Sequence, residues 1–342
     1  MKTGIVILNY NGRKHLETFL PNVIANSAGA EIVVADNGST DDSLAYLRSF
    51  GSQIETIVLD KNYGFAEGYN QALKDYCTDY YILLNSDIEV SENWITPLIA
   101  ALNNDETVAA CQPKILSYKD KTKFEHAGAA GGWIDSLGYP FCRGRIFYDT
   151  ETDTGQYDSE EEIFWASGAA LCIRAKLFHG LGGFDGDYFA HMEEIDLCWR
   201  LKRAGFKIKV APQSVVYHVG GGTLDYLSTF KSYLNFRNSL FTYLKNMPVG
   251  KLLWFIPLRL VLDGVAAGMY LLKGEFRFIP TILKAHFAVY GDFLKTIEKR
   301  KKYNQLIENQ RIAPENKNAI LKKSLLIEYF LKKKKKWSEI VL

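Results

Sequence analysis

Asn85-Ser86-Asp87 directly follows an apolar run of strand length, Tyr80-Tyr81-Ile82-Leu83-Leu84. A buried parallel strand that ends in polar residues carries their side chains to the C-terminal edge of a sheet, where open α/β sheets bind ligands. There the Asp87 carboxylate can hold a divalent cation against a phosphate. It can equally open a turn or cap the helix expected from Ser91. Glu193, Glu194 and Asp196 place three carboxylates in four positions at the start of an amphipathic stretch ending at Gly205. The helix dipole and an Asp196–Arg200 pair one turn on give such acids a structural role. Their density exceeds what capping needs, and a carboxylate at a helix start beside the sheet edge can serve as a general base. His218 precedes Gly220-Gly221-Gly222; its imidazole suits a metal and the glycines can fold against a diphosphate, although a single histidine is more often structural. Asp36 ends another apolar run, from which its carboxylate can accept hydrogen bonds from a base or ribose or simply open the Asp36-Asn37-Gly38 turn.

These residues need a scaffold that brings them to one edge. Short Ile- and Val-rich segments at 4–10, 31–35, 54–59 and 80–84 alternate with helical patterns at 13–26, 41–49 and 65–76. That alternation predicts βαβ units in a parallel, doubly wound sheet. A helix at 94–102, strands at 108–116, 164–173 and 207–210, and a further apolar stretch from 215 follow. The small residues of 164–173 would let a substrate approach the backbone. The glycine-rich stretch 127–133 and the acidic loop 149–162 read as pocket walls, a lid or ordinary loop. Gly12 is the only glycine after strand one, so neither a dinucleotide fingerprint nor a Walker loop is present.

The 342 residues suffice for a large core plus an appendage, and 47% hydrophobic with 23% charged residues is ordinary for a soluble protein. The net charge of +2 conceals a division: residues 1–225 hold 19 Lys+Arg against 31 Asp+Glu, and residues 226–342 hold 22 against 8. An acidic part thus carries a basic one, which suggests an anionic partner for the latter. Five scattered cysteines without a Cys-x-x-Cys pair read as reduced core thiols, which suits a cytosolic compartment. Lys2 leads straight into a strand, so no signal peptide is read.

Five stretches, in this order, resemble the family 2 glycosyltransferases of the GT-A fold, especially the rhamnosyltransferase-like branch of bacterial surface-polysaccharide synthesis. They are Val6-Ile7-Leu8-Asn9-Tyr10-Asn11-Gly12, Val34-Ala35-Asp36-Asn37-Gly38-Ser39-Thr40-Asp41, Asn62-Tyr63-Gly64-Phe65-Ala66-Glu67-Gly68-Tyr69-Asn70, Leu83-Leu84-Asn85-Ser86-Asp87, and Gly183-Phe184-Asp185 through Arg200. The resemblance implies a nucleotide-diphosphate sugar bound by Asn9, Asn11, Asp36, Asn37, Asn62, Gly64, Gly68, Asn70, Asn85, Ser86 and Asp87. It implies Mg²⁺ or Mn²⁺ on Asp87, with His218 assisting, and an acceptor side at Trp165, Gly168 and Glu193. The family's base position carries over to Glu194, a glutamate where an aspartate is usual, which leaves Asp196 as a rival. The metal motif likewise has Asn85 where an aspartate often stands. The implied reaction is a single inverting displacement onto a hydroxyl of a lipid-linked glycan. The implied architecture is a GT-A catalytic domain over 1–225 and a helical, basic, membrane-associating extension over 226–342.

The stretch 252–272 is nearly long enough to cross a membrane but contains Pro257, Arg259 and Asp263. Central charges cost about 2.5 to 3.5 kcal/mol each on an insertion scale. A helix lying in the membrane surface or packed on the catalytic part is therefore favoured over a span. Lys299 to Lys302 and Lys332 to Lys336 are basic runs suited to anionic lipid on the cytoplasmic face of an inner membrane. Nucleic acid is disfavoured because no recognition module accompanies them. A nucleotidyltransferase is disfavoured by the missing phosphate loop, and a processive synthase by the missing Gln-x-x-Arg-Trp signature. A non-catalytic nucleotide-sugar-binding partner of a membrane assembly is the alternative from another class.

Overall fold

The computed structural model describes residues 1–220 and 228–341. Strand and helix alternate through β1 (Thr3–Asn9), α1 (Arg13–Asn26), β2 (Glu31–Asp36), α2 (Ser43–Arg48), β3 (Glu55–Val58), α3 (Gly64–Leu73) and β4 (Tyr80–Asn85). After β5 (Ile88–Val90), α4 (Ile95–Asn103) and β6 (Val108–Ser117) come five short strands, β7 (Gly132–Asp135), β8 (Pro140–Cys142), β9 (Arg145–Ile146), β10 (Asp149–Thr150) and β11 (Glu161–Ile163). The sheet is completed by β12 (Ala170–Arg174) and β13 (Lys207–His218), with α5 (Ala175–Gly180) and α6 (Glu193–Arg203) between them. The remaining elements are α7 (Thr229–Asn246), α8 (Val249–Leu272), α9 (Ile279–Gly291), α10 (Phe293–Gln310), β14 (Ile320–Leu321) and α11 (Trp337–Val341).

Nine strands form the main sheet in the order β11-β13-β6-β12-β4-β1-β2-β3, with β5 also pairing β13. β1 to β4 run parallel, as buried crossovers demand. β12 is antiparallel to both β4 and β6, so β6 and its parallel neighbour β13 again point the same way as β1. The C-terminal ends of β1, β2, β4, β6 and β13 and the start of β12 therefore share one rim. Apolar residues alternate between the faces: Ile5, Ile7, Val34, Ile82 and Leu84 pack with Leu16 and Leu20 of α1 and Leu98 of α4. Val6, Val33, Tyr81 and Leu83 pack with Leu73 of α3 and Leu197 of α6. This is the doubly wound α/β arrangement that the periodicity predicts.

Two expectations change. Of the stretch 164–173 only 170–173 is strand, which runs on to Arg174, because Ser167 closes a turn by accepting from Ala169 N through its hydroxyl (3.1 Å) and from Ala170 N through its carbonyl (3.2 Å). The segments at 207–210 and 215–218 are one strand, whose register shifts between Ala211 and Val215, where Pro212 has no N–H to give a ladder. All five cysteines are free, and four of them are buried.

Helices α7 to α10 contribute Leu240, Tyr243, Phe255, Val289 and Ile307 to the same apolar cluster as Val6 and Leu83. β14 adds to a second, five-stranded sheet by pairing with β7. The division expected at 225/226 and most of the glycine run after His218 lie outside the described residues. Much of both basic runs is engaged internally. Lys299 pairs with Asp185 and Asp187, Arg300 donates to the Leu244 carbonyl, and Lys332 and Lys334 flank Glu328.

Candidate active site

At the β1–β2 corner of the rim the polar side chains are bound to one another. Asp36 is fully buried, with Oδ1 accepting from Ser39 N (2.9 Å) and Oδ2 from Asn9 Nδ2 (3.0 Å). Asn37 Nδ2 donates to the Gly64 carbonyl (2.9 Å) and to Asn62 Oδ1 (3.1 Å), while its Oδ1 accepts from Tyr63 N (3.0 Å). Gly38 lies at φ +74°, and a Cβ there would stand 2.5 Å from the Lys61 carbonyl carbon, so only glycine permits the β2 and β3 loops to meet. Asp36 and Asn37 thus fix the loops. Asn11, whose Oδ1 accepts from Thr40 N (2.7 Å), and Asn62 are exposed on them.

One strand over, Ser86 Oγ lies 3.7 Å from where a Cβ on Gly12 would stand. Asn85 N donates to the Ala169 carbonyl (2.9 Å), and Asn85 Nδ2 is 3.3 Å from His218 Nε2. His218 stands between two carboxylates: Nε2 is 3.2 Å from Asp87 Oδ1, and Nδ1 is 3.2 Å from Glu125 Oε2. All three side chains are buried. Burial opposes the charged imidazole, but the two carboxylates outweigh it and raise its pKa to about 10. Burial likewise opposes ionisation of Asp87 and Glu125, but the hydrogen bond to His218, its charge and backbone N–H groups together outweigh it, holding both below their ordinary values.

This arrangement fits a divalent cation. One ring nitrogen faces the Asp87 oxygen, and the other is backed by a carboxylate, as in the carboxylate–histidine pairs that orient metal ligands. Among the described residues, no three or more His, Cys, Asp or Glu are gathered as a cation cage. The donor set therefore suits an ion such as Mg²⁺, which takes one or two protein ligands and completes its shell from phosphate and water.

Across the rim, Glu194 Cβ lies 3.7 Å from the position of a Cβ on Gly168, and Phe65 lies 3.5 Å from it. Gly168 precedes Ala169, which binds Asn85, so Glu194 and Asp87 flank one continuous stretch of rim. Glu193 is buried while Glu194 is half-buried. Burial pushes the Glu193 carboxyl far up, with the charge of Glu194 adding to it. Burial raises Glu194 to about 7, partly offset by backbone N–H groups at the helix start. Oε2 of each is enclosed with no hydrogen-bond partner among the described residues. A neutral acid and a neighbour poised near neutrality are a pair that environment has pushed apart, the pattern of acid–base sites.

The turn that aims these glutamates is strained. Phe189, His191 and Met192 all have positive φ, at 62°, 70° and 75°. Such residues cost of order 1–3 kcal/mol each and persist only when neighbours hold them. Asn238, wholly buried on α7, donates through Nδ2 to the carbonyls of Tyr188 (3.0 Å), Ala190 (2.9 Å) and His191 (2.8 Å). Arg237 adds bonds to the Asp187 and Tyr188 carbonyls at 2.8 and 3.0 Å. From α3, Phe65 N and Ala66 N donate to the Phe189 carbonyl. Asn238→Ala is expected to lower stability by about 2–3 kcal/mol, near 1 kcal/mol per lost bond. Asn238→Asp is worse, because it sets a carboxylate against carbonyls. Thermal melts rank the two variants.

Several expected site residues lie elsewhere. Asp196 is fully enclosed, binding Arg200 (3.0 Å), Lys245 (3.1 Å) and Asn246 Nδ2 (2.7 Å), so its oxygens have no path to the rim. Trp165 packs into the core, with its indole N–H on the Trp133 carbonyl (3.0 Å). Asn70 ties α3 to Phe184 through bonds at 2.9 and 3.0 Å, and Gly68 admits Leu8 and Asn37 against α3, so both serve packing. Glu125 and Asn238 were not singled out from sequence. Glu125 stands just before the glycine-rich stretch, the one signal for it. Nothing near Asn238 in sequence marks it.

The family model for glycosyl transferase family 2 matches residues 4–168. The N-acetylglucosaminyl-diphospho-decaprenol L-rhamnosyltransferase of Mycobacterium tuberculosis is 26% identical over 231 residues, covering 63% of this chain and 75% of that protein. Rhamnosyltransferase WbbL of Escherichia coli is 24% identical over 225 residues, covering 63% and 82%. Among solved structures, GalNAc-T7 with UDP, GalNAc and Mn²⁺ matches with a TM-score of 0.56 at 18% identity, over 71% of this chain and 47% of that one. That likeness establishes the GT-A fold. The matched family model over residues 4–168 and the rhamnosyltransferase relatives make the chain similar to glycosyl transferase family 2, and to its rhamnosyltransferase-like members in particular.

Proposed function

We propose that the protein moves a sugar from a nucleoside-diphosphate donor to a hydroxyl of a lipid-linked glycan, with inversion at the anomeric carbon, at the cytoplasmic face of a membrane. The observation that carries this reading is Glu194, half-buried and poised near neutrality on the rim that also holds Asp87 and His218. The donor's nucleoside occupies the β1–β2–β3 corner at Asn11, Asn62 and the loops that Asp36 and Asn37 brace, and its diphosphate lies toward Ser86 and Asp87. Asp87 and His218 would hold Mg²⁺ or Mn²⁺, and such an ion would supply positive charge to the departing diphosphate. Glu194 takes the acceptor's hydroxyl proton as that oxygen bonds to the anomeric carbon and the bond to the diphosphate oxygen breaks. Gly168, with no side chain, leaves room for the acceptor beside Glu194, and buried Glu193 supports the helix start. The lipid link draws on the decaprenol acceptor named for the mycobacterial relative.

Incubation with UDP-, GDP- and dTDP-sugars identifies the donor by nucleoside diphosphate release, and NMR of the product reads the anomeric configuration. Retention of configuration overturns the single-displacement mechanism. No turnover of any donor, with binding intact, favours the non-catalytic alternative. Glu125→Gln is expected to weaken Mn²⁺ binding in the presence of nucleoside diphosphate about 10- to 100-fold, the usual cost of losing a carboxylate behind a ligating histidine. Titration followed by electron paramagnetic resonance measures it.

A further inference from the structure

Helix α8 is folded with its charges inward. Arg259 and Asp263 are buried and bound to each other (2.7 Å), Asp263 Oδ2 is 2.9 Å from His286 Nε2 on α9, and Arg259 reaches the Tyr243 hydroxyl on α7 (3.2 Å). With Phe255, they form a narrow stripe at i, i+4 and i+8 that is the buried side of the helix. The opposite side carries Leu253, Trp254, Pro257, Leu260, Val261, Val265, Leu271 and Leu272, all exposed and none charged. Val261 is 63% exposed and Leu272 89%. Helix α9 continues the pattern, with Leu283, Phe287 and Tyr290 exposed at i, i+4 and i+7 and Leu294 beyond them on α10. Soluble helices have the reverse polarity, so a contiguous apolar face of this extent marks an interaction surface.

We propose that the outer face of the α8–α9 hairpin is immersed in the apolar layer of an anionic membrane leaflet, lying along the surface without crossing it. Three features select lipid over another protein. The neighbours of the face in the chain are basic: Lys273 and Arg277 in the α8–α9 connection, Lys284 on α9, and Lys301 and Lys302 on α10 are exposed. Aromatic side chains, Trp254, Phe276, Phe287, Tyr290 and Phe293, are exposed along it, as at membrane interfaces. The helix is also long and apolar enough to cross a membrane by composition, alone among the described helices. Crossing is opposed by its inner stripe, because Phe255 and Arg259 rest on Tyr243, and Arg259 lies over the ring of Tyr139, 5.0 Å from its centroid. The first half of α8 is thereby fastened to the catalytic body. The surface also adjoins the helix that braces the turn before Glu194. Lys284 of α9 sits 5.3 Å from the Tyr233 ring on α7, the helix whose Asn238 braces the turn before Glu194. The proposal deepens the lipid-linked acceptor reading by naming the surface that would meet the lipid, and its test is independent of turnover.

Full-length protein is floated with phosphatidylglycerol vesicles and with phosphatidylcholine vesicles, at low salt and at 0.5 M salt (roughly a 4 Å screening length). Wild type is expected to float with phosphatidylglycerol vesicles and to retain most of that binding at high salt, because apolar insertion is not screened. Brominated acyl chains are expected to quench Trp254, the exposed tryptophan among the described residues. Val261→Glu/Val265→Glu, on the exposed stripe, is expected to lose binding at least tenfold with an unchanged melting temperature and unchanged donor binding. Lys301→Glu/Lys302→Glu is expected to lose only the salt-sensitive part. Failure of wild type to float, binding by Val261→Glu/Val265→Glu equal to wild type, or a wild-type dimer in light scattering that this variant dissolves overturns the proposal. Donor turnover by the soluble variant reports separately on the glycosyl-transfer reading.

Discussion

Replacing Glu194 with glutamine is expected to abolish sugar transfer, by about three orders of magnitude for loss of a positioned general base, while the donor binds within about twofold of wild type. Glutamine keeps the volume and the backbone contacts at the start of α6, but it cannot accept the acceptor's proton. The pH profile carries the same information. Burial raises Glu194 to about 7, so the base is ionised above that pH and protonated below it. In wild type, kcat/KM should rise about tenfold per pH unit up to neutrality and then level off. In Glu194→Gln that limb should vanish. Asp196→Asn should act through stability, since it strips buried Arg200 of its carboxylate and Lys245 of one of two, Asp185 being the other, at about 3 kcal/mol or more. Normal turnover in Glu194→Gln, with a melting temperature equal to wild type, would remove Glu194 from the chemistry.

Asp87→Asn is expected to be nearly as severe but to fail at a different step. Asparagine keeps a carbonyl oxygen near His218 Nε2 but removes the charge that opposes a divalent cation, whose stabilisation of a leaving diphosphate is worth several kcal/mol. Donor affinity and turnover should fall together, by about two to three orders of magnitude in kcat/KM. Mn²⁺ binding in the presence of nucleoside diphosphate should become undetectable by electron paramagnetic resonance. The fold should hold, because Glu125 still partners His218 from the other side. A variant that lost turnover but kept Mn²⁺ affinity would move the cation away from Asp87.

The regular half of the molecule was legible because its signal is local. Ile- and Val-rich apolar runs ending at or beside Asn9, Asp36 and Asn85 gave three strands to within a residue, and the helical patterns between them gave α1 to α3. Asp87 and His218 were also picked out, as chemically suited residues beside strand ends, and the structure sets their side chains next to each other. The role of each polar group was much less so, because it depends on which neighbour reaches it across the fold. Asp36 and Asn37 resemble ligand-binding residues in sequence, yet they are occupied with one another's loops. Asp196 stands two residues from Glu194, but the helix turns it about 200° away, toward Lys245 of α7. Asn238 is an unremarkable residue in an ordinary amphipathic pattern. Its importance arises only when a turn 47 residues earlier needs three carbonyls satisfied. The inverted polarity of α8 was half visible: the charges were noted as a cost, while their inward direction required knowledge of Tyr243 and His286.

β13 has a consequence for how the enzyme assembles. It lies between β6 and the pair β5 and β11, all made long before it, and it ends in His218. Pairings between such distant segments close late, because a large loop must be confined before any contact repays it. On that order His218 is expected to reach Asp87 only after the slower half of the sheet has formed, and chains that stall short of this step would lack the proposed cation site. By thermodynamic linkage, any ligand that requires both residues would hold that closure shut, adding about 2.7 kcal/mol at a hundredfold excess over its dissociation constant. Saturation with donor would then protect the strand's amide hydrogens from exchange.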